Sequence, residues 1–186
     1  MYTVAIFGGS FAPVHKGHME VARGILDRKL ADEVWMLPCR QNPLKEDGPQ
    51  MTDYDRVREL ETAVQHYNRL RGKGKEIMVN PMELHMSPPS YTCHTMQILT
   101  DTYPEIQFRL AVGADSYLSF TDWMKWEWLE EKFAPIVYPR PGYEINEVKP
   151  GWTLLEGVEL TDISSTKLRE MIGRGEETEK YMPWKQ

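Results

Sequence analysis

The sequence opens with the stretch Tyr2-Thr3-Val4-Ala5-Ile6-Phe7-Gly8-Gly9-Ser10-Phe11-Ala12-Pro13-Val14-His15-Lys16-Gly17-His18. Its first six residues are β-branched, apolar or aromatic and a turn signal follows them, which predicts a buried strand. From Gly17 onward the apolar residues recur at helical spacing, which predicts a helix. A strand that passes through a glycine turn into a helix is typical of an anion site, because unpaired N–H groups and the helix dipole point toward the ligand.

The predicted turn carries two glycines, Gly8 and Gly9, and two histidines, His15 and His18, that can project to one side. Donors placed in this way bind phosphate oxygens and stabilise the negative charge that moves in phosphoryl or nucleotidyl transfer. A zinc site is one alternative, but no Cys or carboxylate stands at convincing metal spacing. A structural role for either histidine is the other alternative, and the glycines around them, Gly17 included, favour a functional one.

A second motif, Ile163-Ser164-Ser165-Thr166-Lys167-Leu168-Arg169, lies near the other end of the chain. Residues 158–160 before it predict the end of a strand, and the apolar residues after it recur at helical spacing. Ser164 or Ser165 is a natural N-cap, and Arg169 follows one turn later. N–H groups, hydroxyls and a guanidinium together suit the far phosphates of a nucleotide. The alternative is an ordinary serine cap on a C-terminal helix, which this motif alone would favour.

Strands and helices alternate along the whole sequence. The predicted strands are 2–7, 33–37, 77–79, 108–112 and 135–137. The predicted helices are 17–30, 53–70, 91–100, 116–120 and 126–132, with a short C-terminal helical segment from about residue 164. This alternation predicts an α/β fold in which helices cover both faces of a parallel sheet and ligands bind at the carboxyl ends of the strands. We expect one domain over residues 1–186.

Composition sets limits on the class of protein. The net charge of −6 argues against a general nucleic-acid or anionic-membrane surface. There is no apolar run of the roughly 18 residues that a membrane span needs and no signal-peptide pattern, so we expect a cytoplasmic protein. The two cysteines, Cys39 and Cys93, lack a disulfide or metal framework, which suits a reducing compartment. A catalytic cysteine is a weaker alternative.

Taken together, Gly-Gly-Ser-Phe-x-Pro-x-His-x-Gly-His and Ile-Ser-Ser-Thr-x-x-Arg resemble the adenylyltransferase branch of the nucleotidylyltransferase superfamily. Further blocks are similar to bacterial nicotinate-nucleotide adenylyltransferases in order and spacing. These blocks are the Pro-rich segment 37–45 that ends in Lys45, the segment Pro89-Ser90-Tyr91-Thr92-Cys93-His94-Thr95-Met96, Gly113-Ala114-Asp115-Ser116, Trp123, and Arg140-Pro141-Gly142-Tyr143. The resemblance covers the chain from Ile6 to about Pro183.

The resemblance implies a Rossmann-like nucleotidylyltransferase fold and a reaction of ATP with nicotinate mononucleotide that gives nicotinate adenine dinucleotide and pyrophosphate. The implied catalytic residues are His15, His18 and Arg169. The implied ATP-binding residues are Gly8, Gly9, Ser10, Phe11, Gly17, Gly113, Asp115, Ser164, Ser165 and Thr166. The implied mononucleotide-binding residues are Lys45, Tyr91, Thr92, Trp123 and Arg140. Mg²⁺ would be bound mainly through the ATP phosphates.

Several alternatives stay open. Asp115 either accepts hydrogen bonds from ribose hydroxyls or caps a helix, and Trp123 either stacks on the pyridine ring or packs in the core. The family usually has Asp or Asn at the position of Ala12 and an acidic residue at that of His94. Another adenylyltransferase, such as one acting on phosphopantetheine, is the alternative enzyme, and a non-catalytic nucleotide-binding domain is the alternative class. The implied partners are small nucleotides, with neither nucleic acid nor membrane, and homo-oligomerisation is left open.

Overall fold

The computed structural model describes residues 1–40, 50–72, 76–158 and 161–185. Its strands are β1 (Tyr2–Gly9), β2 (Glu33–Pro38), β3 (Ile77–Val79), β4 (Ile106–Gly113), β5 (Ile136–Tyr138) and β6 (Thr153–Leu154). Its helices are α1 (Lys16–Asp27), α2 (Asp53–Arg71), α3 (Thr92–Thr102), α4 (Ala114–Leu118), α5 (Trp126–Phe133) and α6 (Ser165–Gly173). Short 3-10 helices span Met82–His85, Phe120–Asp122 and Glu179–Tyr181.

The strands form one six-stranded sheet in the order β3-β2-β1-β4-β5-β6, and every neighbouring pair is parallel. The prediction of a Rossmann-like parallel sheet is therefore confirmed. The chain reverses its direction of travel across the sheet between β1 and β4, and the carboxyl ends of strands beside such a switch point form a crevice. Gly9 of β1, Pro38 of β2 and Gly113 of β4 end at this edge.

Helices cover both faces of the sheet, as predicted. Along β1, alternate side chains enter different cores, because successive residues of a strand point to opposite faces. Ala5 and Phe7 pack with the side chains of α1 and α2. Val4 and Ile6 pack with those of α3, α4 and α5. Since both faces are buried, the strand is a continuous apolar run rather than an alternating one.

The C-terminal part differs from the prediction in one strand. The last strand is Thr153–Leu154, which no prediction included, and Val158 lies outside any strand. The rest of the predicted strand end, Glu159 and Leu160, lies outside the described residues. Backbone hydrogen bonds from Thr153 N–H to the carbonyl of Pro135 (2.9 Å) and from Leu155 N–H to that of Val137 (2.8 Å) anchor β6. A strand of two residues is too short to show a period in the sequence.

Among the described residues, no helix is both long and apolar enough to cross a membrane.

Candidate active site

Two adjoining pockets open at the carboxyl edge of the sheet, one on each side of β1 and β4. The first, called here the histidine pocket, is lined by His15, His18, Arg140, Thr161 and Ser164, among others. The second, called here the tryptophan pocket, is lined by Gly8, Gly9, Tyr91, Thr92 and Trp123, among others. The side chain of Tyr138, at the end of β5, lines both pockets. The edge of the sheet therefore offers two sites that share a wall.

His15 and His18 form a stacked pair at the start of α1. Their ring centroids are 3.7 Å apart and the ring planes are inclined by 26°. Nδ1 of His18 accepts a hydrogen bond from the backbone N–H of His15 at 3.1 Å. A neutral His18 therefore carries its proton on Nε2, where it can be donated to a ligand. A Cβ on Gly17 would lie 3.1 Å from Nδ1 of His15, so the stacked arrangement depends on a glycine at this position.

Both histidines are neutral in the free protein. Burial lowers the pKa of His15 from 6.5 to about 3, and the nearby Arg140 acts in the same direction. Burial, His15 and Arg140 together hold the pKa of His18 well below its ordinary value. The pair therefore acts through hydrogen bonds rather than as two cations.

The second motif packs directly against the first. Glu20 of α1 accepts hydrogen bonds from the backbone N–H of Thr161 at 2.7 Å and from its hydroxyl at 2.8 Å. The hydroxyl of Ser165 donates to the carbonyl of Pro13 at 3.0 Å, and the guanidinium of Arg169 donates to the carbonyl of Ala12. These bonds join residues more than 140 positions apart in sequence. The two motifs therefore form one unit.

Of the predicted residues in the second motif, some line the histidine pocket and others do not. Ser164 lines the histidine pocket, and its hydroxyl caps α6 by accepting from the N–H of Lys167 at 3.1 Å. Ser165, Thr166 and Arg169 do not line this pocket, and Thr166 is exposed with its hydroxyl accepting a hydrogen bond from Arg169 at 3.1 Å. Through their hydrogen bonds to the carbonyls of Pro13 and Ala12, the side chains of Ser165 and Arg169 support the turn before α1.

The turn of the first motif is held from inside the core. Phe11 is fully buried with a positive φ of 45° and packs edge-to-face on Phe7 at 5.5 Å. A Cβ on Gly9 would lie 3.1 Å from the Phe11 ring, so this approach requires glycine. Ala12 is also fully buried. Its backbone carbonyl accepts the hydrogen bond from Arg169.

Arg56 is a site residue that the sequence reasoning missed. Its side chain is 0% exposed, and one guanidinium nitrogen donates to the carbonyls of Ser10 (2.9 Å) and Cys39 (2.8 Å). The other terminal nitrogen pairs with Asp53 at 2.6 Å. The sequence pattern could have identified Arg56, because this residue occupies the first position of the buried stripe of α2, followed by Leu60, Ala63 and Val64. A cation in an apolar stripe indicates a buried partner.

Arg140 lines the histidine pocket and forms an ion pair with Asp115, with 3.5 Å between its Nε and the carboxylate oxygen. Arg140, predicted for the mononucleotide, thus lies on the side of the histidines. Gly113 is the N-cap of α4, and a Cβ there would lie 2.4 Å from the Asp115 carboxylate and 3.2 Å from the Tyr138 ring. Burial raises the pKa of Tyr138 to about 12, so its hydroxyl stays protonated.

In the tryptophan pocket an aromatic ring faces the start of a helix. Trp123 packs on Phe120 with ring centroids 5.1 Å apart, and its indole N–H is buried without a partner among the described residues. α3 begins after Tyr91, whose side chain makes no capping hydrogen bond within the described structure. The first N–H groups of a helix have no intrahelical acceptor, so they suit an anion beside the Trp123 ring.

The remaining candidates are Lys45, a metal site and the two cysteines. Lys45, at the end of the Pro-rich segment 37–45, lies outside the described residues. Where the structure is described, no three His, Cys, Asp or Glu side chains are grouped to hold a metal ion. Cys39 lines the tryptophan pocket, and burial raises the pKa of the Cys93 thiol, which disfavours the nucleophilic thiolate.

Comparisons with known proteins agree with this geometry. A family model described as Cytidylyltransferase-like matches residues 6–171. A protein of Bacteroides thetaiotaomicron named "Probable nicotinate-nucleotide adenylyltransferase" is 36% identical over 168 residues, which cover 90% of this chain and 80% of that protein. A protein of Bacteroides fragilis with the same name is 32% identical over 178 residues, which cover 95% of this chain and 85% of that protein.

A solved structure shares the fold. Plasmodium falciparum nicotinic acid mononucleotide adenylyltransferase, complexed with NaAD, superposes with a TM-score of 0.77 at 21% sequence identity. The match covers 95% of this chain and 87% of that chain.

Proposed function

This chain belongs to the cytidylyltransferase-like family, and from that premise we propose that it is a nicotinate-nucleotide adenylyltransferase. It transfers the adenylyl group of ATP to nicotinate mononucleotide and so contributes to NAD biosynthesis. The observation that carries the proposal is the pair of adjoining pockets at the switch point of the sheet, one lined by neutral histidines and the other by Trp123 and the start of α3. One pocket suits a polyphosphate, and the other suits a flat anionic ring.

ATP occupies the histidine pocket in this proposal. The Nε2–H of His18 donates to an oxygen of the α-phosphate, because its Nδ1 is already occupied by the N–H of His15. The ATP phosphates reach the backbone of Gly8, Gly9 and Ser10 at the boundary with the tryptophan pocket, which Gly8 and Gly9 line, and Asp115 binds the ribose hydroxyls. Phe11 and Gly17 act indirectly, through the shape of the turn. Since Arg140 lines this pocket, we assign it to ATP rather than to the mononucleotide.

Nicotinate mononucleotide occupies the tryptophan pocket. Its ring lies on Trp123, and its carboxylate meets the backbone N–H groups at Tyr91 and Thr92, where the helix dipole favours negative charge. Lys45 approaches a phosphate from the loop after β2. A neutral nicotinamide ring gains less from these donors, and losing a charge-assisted hydrogen bond costs about 1.5–3 kcal/mol, roughly ten- to a hundredfold in preference.

The reaction follows from positioning and charge stabilisation. A phosphate oxygen of the mononucleotide attacks the α-phosphorus of ATP, a new P–O bond forms, and the bond to the β-phosphate oxygen breaks as pyrophosphate leaves. The attacking phosphate is already anionic near neutral pH, so no general base is required. His15, His18 and the turn held by Ser165 and Arg169 stabilise the charge on the α-phosphate and the leaving group, and Thr166 helps to orient Arg169 by accepting a hydrogen bond from it. Mg²⁺ enters with ATP as part of the substrate, bound through phosphate oxygens.

Pyrophosphate release with ATP and Mg²⁺ tests the proposal when nicotinate mononucleotide, nicotinamide mononucleotide and phosphopantetheine are offered in parallel. We expect turnover with nicotinate mononucleotide to be at least about tenfold faster than with the amide. Turnover with phosphopantetheine alone would overturn the acceptor assignment. Nucleotide binding without turnover on any acceptor would favour the non-catalytic alternative.

Two broader expectations belong to the proposal. The chain works as one domain over residues 1–186, and it acts in the cytoplasm. Light scattering would measure its oligomeric state, which the sequence leaves open.

A further inference from the structure

A buried carboxylic acid lines the tryptophan pocket, and nothing in the proposed reaction uses it. Glu83 lies in the 3-10 helix Met82–His85 and is 6% exposed. No Lys, Arg or His side chain within the described ranges forms a salt bridge with it. Burying a carboxylate without a cation is costly unless hydrogen bonds replace its hydration, so its partners indicate its role.

Two buried hydroxyls supply those hydrogen bonds. The hydroxyl of Thr95 donates to Glu83 at 2.7 Å. The hydroxyl of Ser90 accepts from the backbone N–H of Arg40 at 3.1 Å, which leaves its own proton for the carboxylate. Burial raises the pKa of Glu83, and hydrogen bonding by Thr95 and Ser90 opposes that rise. Ser90 and Thr95 are themselves 7% and 1% exposed.

These bonds converge on the segment that carries the proposed anion donors. Ser90 directly precedes Tyr91 and Thr92, and Thr95 is the fourth residue of α3. The carboxylate of Glu83 therefore holds the first turn of α3 through Thr95 and interacts with Ser90 just before it, while Arg40 ties Ser90 to the end of β2. Because the donors are backbone N–H groups, no rotamer can correct their direction. The direction in which these N–H groups point depends on the position of the turn, and small displacements of groups that position a substrate lower the rate of reaction.

We infer that Glu83, through Ser90 and Thr95, is a positioning residue that sets the preference for an anionic over a neutral pyridine ring. The inference rests on the proposed function. Glu83 does not touch the reacting phosphates. It fixes the N–H donors that the nicotinate carboxylate uses and that the nicotinamide group uses less. Its loss therefore weakens turnover of the acid more than turnover of the amide.

The direction in which Glu83→Gln changes the preference for the acid over the amide distinguishes a positioning role from a direct electrostatic effect on the substrate. If the charge of Glu83 acted on the substrate directly, it would repel the nicotinate carboxylate, and Glu83→Gln would increase the preference for the acid. Positioning predicts the opposite, because the amide replaces one acceptor oxygen of the network with a donor.

The test compares kcat/KM for the two mononucleotides in Thr95→Val, Glu83→Gln and a matched control. We expect Thr95→Val and Glu83→Gln each to lower kcat/KM for nicotinate mononucleotide by at least about tenfold and that for nicotinamide mononucleotide by less than about threefold. Thr100→Val is the control, because the Thr100 hydroxyl donates to the carbonyl of Met96 within the same helix at 2.8 Å. Its substrate ratio should equal that of the wild type.

Equal losses for both mononucleotides, an unchanged ratio, or an increased preference for the acid would overturn the inference. If Thr95→Val fails to fold, Ser90→Ala removes the other hydroxyl and is judged by the same ratio. A wild-type enzyme that adenylates neither mononucleotide would instead refute the proposed function. The two failures are therefore distinguishable.

Discussion

At the scale of single residues, the structure assigns different work to the two nitrogens of His18. Nδ1 accepts from the backbone of His15, which leaves Nε2–H as the donor to the substrate. A sequence alone predicts that the two histidines lie together, because they are three positions apart at the start of a helix. It cannot predict the tautomer, since that depends on a hydrogen bond set by the fold around Gly17 and Phe11.

His18→Asn separates these two roles, since an asparagine oxygen can replace Nδ1 as the acceptor while Nε2–H is lost. We expect kcat to fall by at least about 10², because the donor to the transferring phosphate is removed. The melting temperature of His18→Asn should stay near that of the wild type. Steady-state rates and thermal unfolding measure the two effects, and a near-wild-type kcat would remove His18 from the reaction.

The buried histidines also predict how stability depends on pH. Their folded pKa values lie below the 6.5 or so of the unfolded chain, so the unfolded chain binds more protons below that pH. Their contribution to stability is complete above about pH 6.5 and is lost as the pH falls toward about 3, where His15 protonates.

For His15 the expected loss between pH 7 and pH 5 is about 2 kcal/mol of the free energy of unfolding. Urea unfolding at both pH values measures this loss. His15→Asn should show the smaller pH dependence of the two proteins. Identical dependence in the variant and the wild type would show that His15 is not held neutral by burial.

At the scale of elements, the predicted strands and helices match the structure where their apolar pattern is long. β1 is a continuous apolar run and α1 has apolar residues at helical spacing, whereas β6 escaped prediction because two residues are too few to show a pattern. Prediction from sequence was limited in the same way for the residues of the site. Glu20 and Arg56 bind groups far away in sequence, and Glu83 binds a hydroxyl 12 residues along the chain, so a local pattern cannot identify these partners. Arg56 came closest to being detectable, as a cation within the buried stripe of α2.

Arg56 connects α2 to the ends of β1 and β2, so its replacement should affect activity as well as stability. We expect Arg56→Lys to lower kcat/KM for ATP by at least about tenfold, because one ammonium cannot reproduce the guanidinium's bonds to Ser10, Cys39 and Asp53. Stability should fall by about 1–3 kcal/mol.

Arg109→Lys is the matched control for this effect. Arg109 also binds backbone carbonyls, those of Ala134 (3.0 Å) and Leu30 (3.3 Å). Neither of these partners lines a pocket, whereas Cys39, a partner of Arg56, lines the tryptophan pocket. It should lose stability while keeping the wild-type rate within about threefold. Equal losses of activity in both variants would show that Arg56 acts only through general stability.

At the scale of the whole molecule, the function depends on chain topology. The fold brings together the motifs at residues 8–18 and 163–169, which two side-chain hydrogen bonds join, and Glu20 of α1 binds Thr161 beside them. The same edge places the start of α3 across β1 from the histidines. Two substrates can therefore approach one point from opposite sides of the sheet, which is what transfer of a group between two nucleotides requires.

The fate of isotopic label tests this account most directly. The protein is incubated with Mg²⁺, nicotinate mononucleotide and ATP carrying distinguishable phosphorus labels at the α and γ positions. We predict that the α label appears in nicotinate adenine dinucleotide and the γ label in pyrophosphate, in equal amounts. Recovery of the γ label on the mononucleotide, or of the α label only in free AMP, would contradict adenylyl transfer between the two pockets.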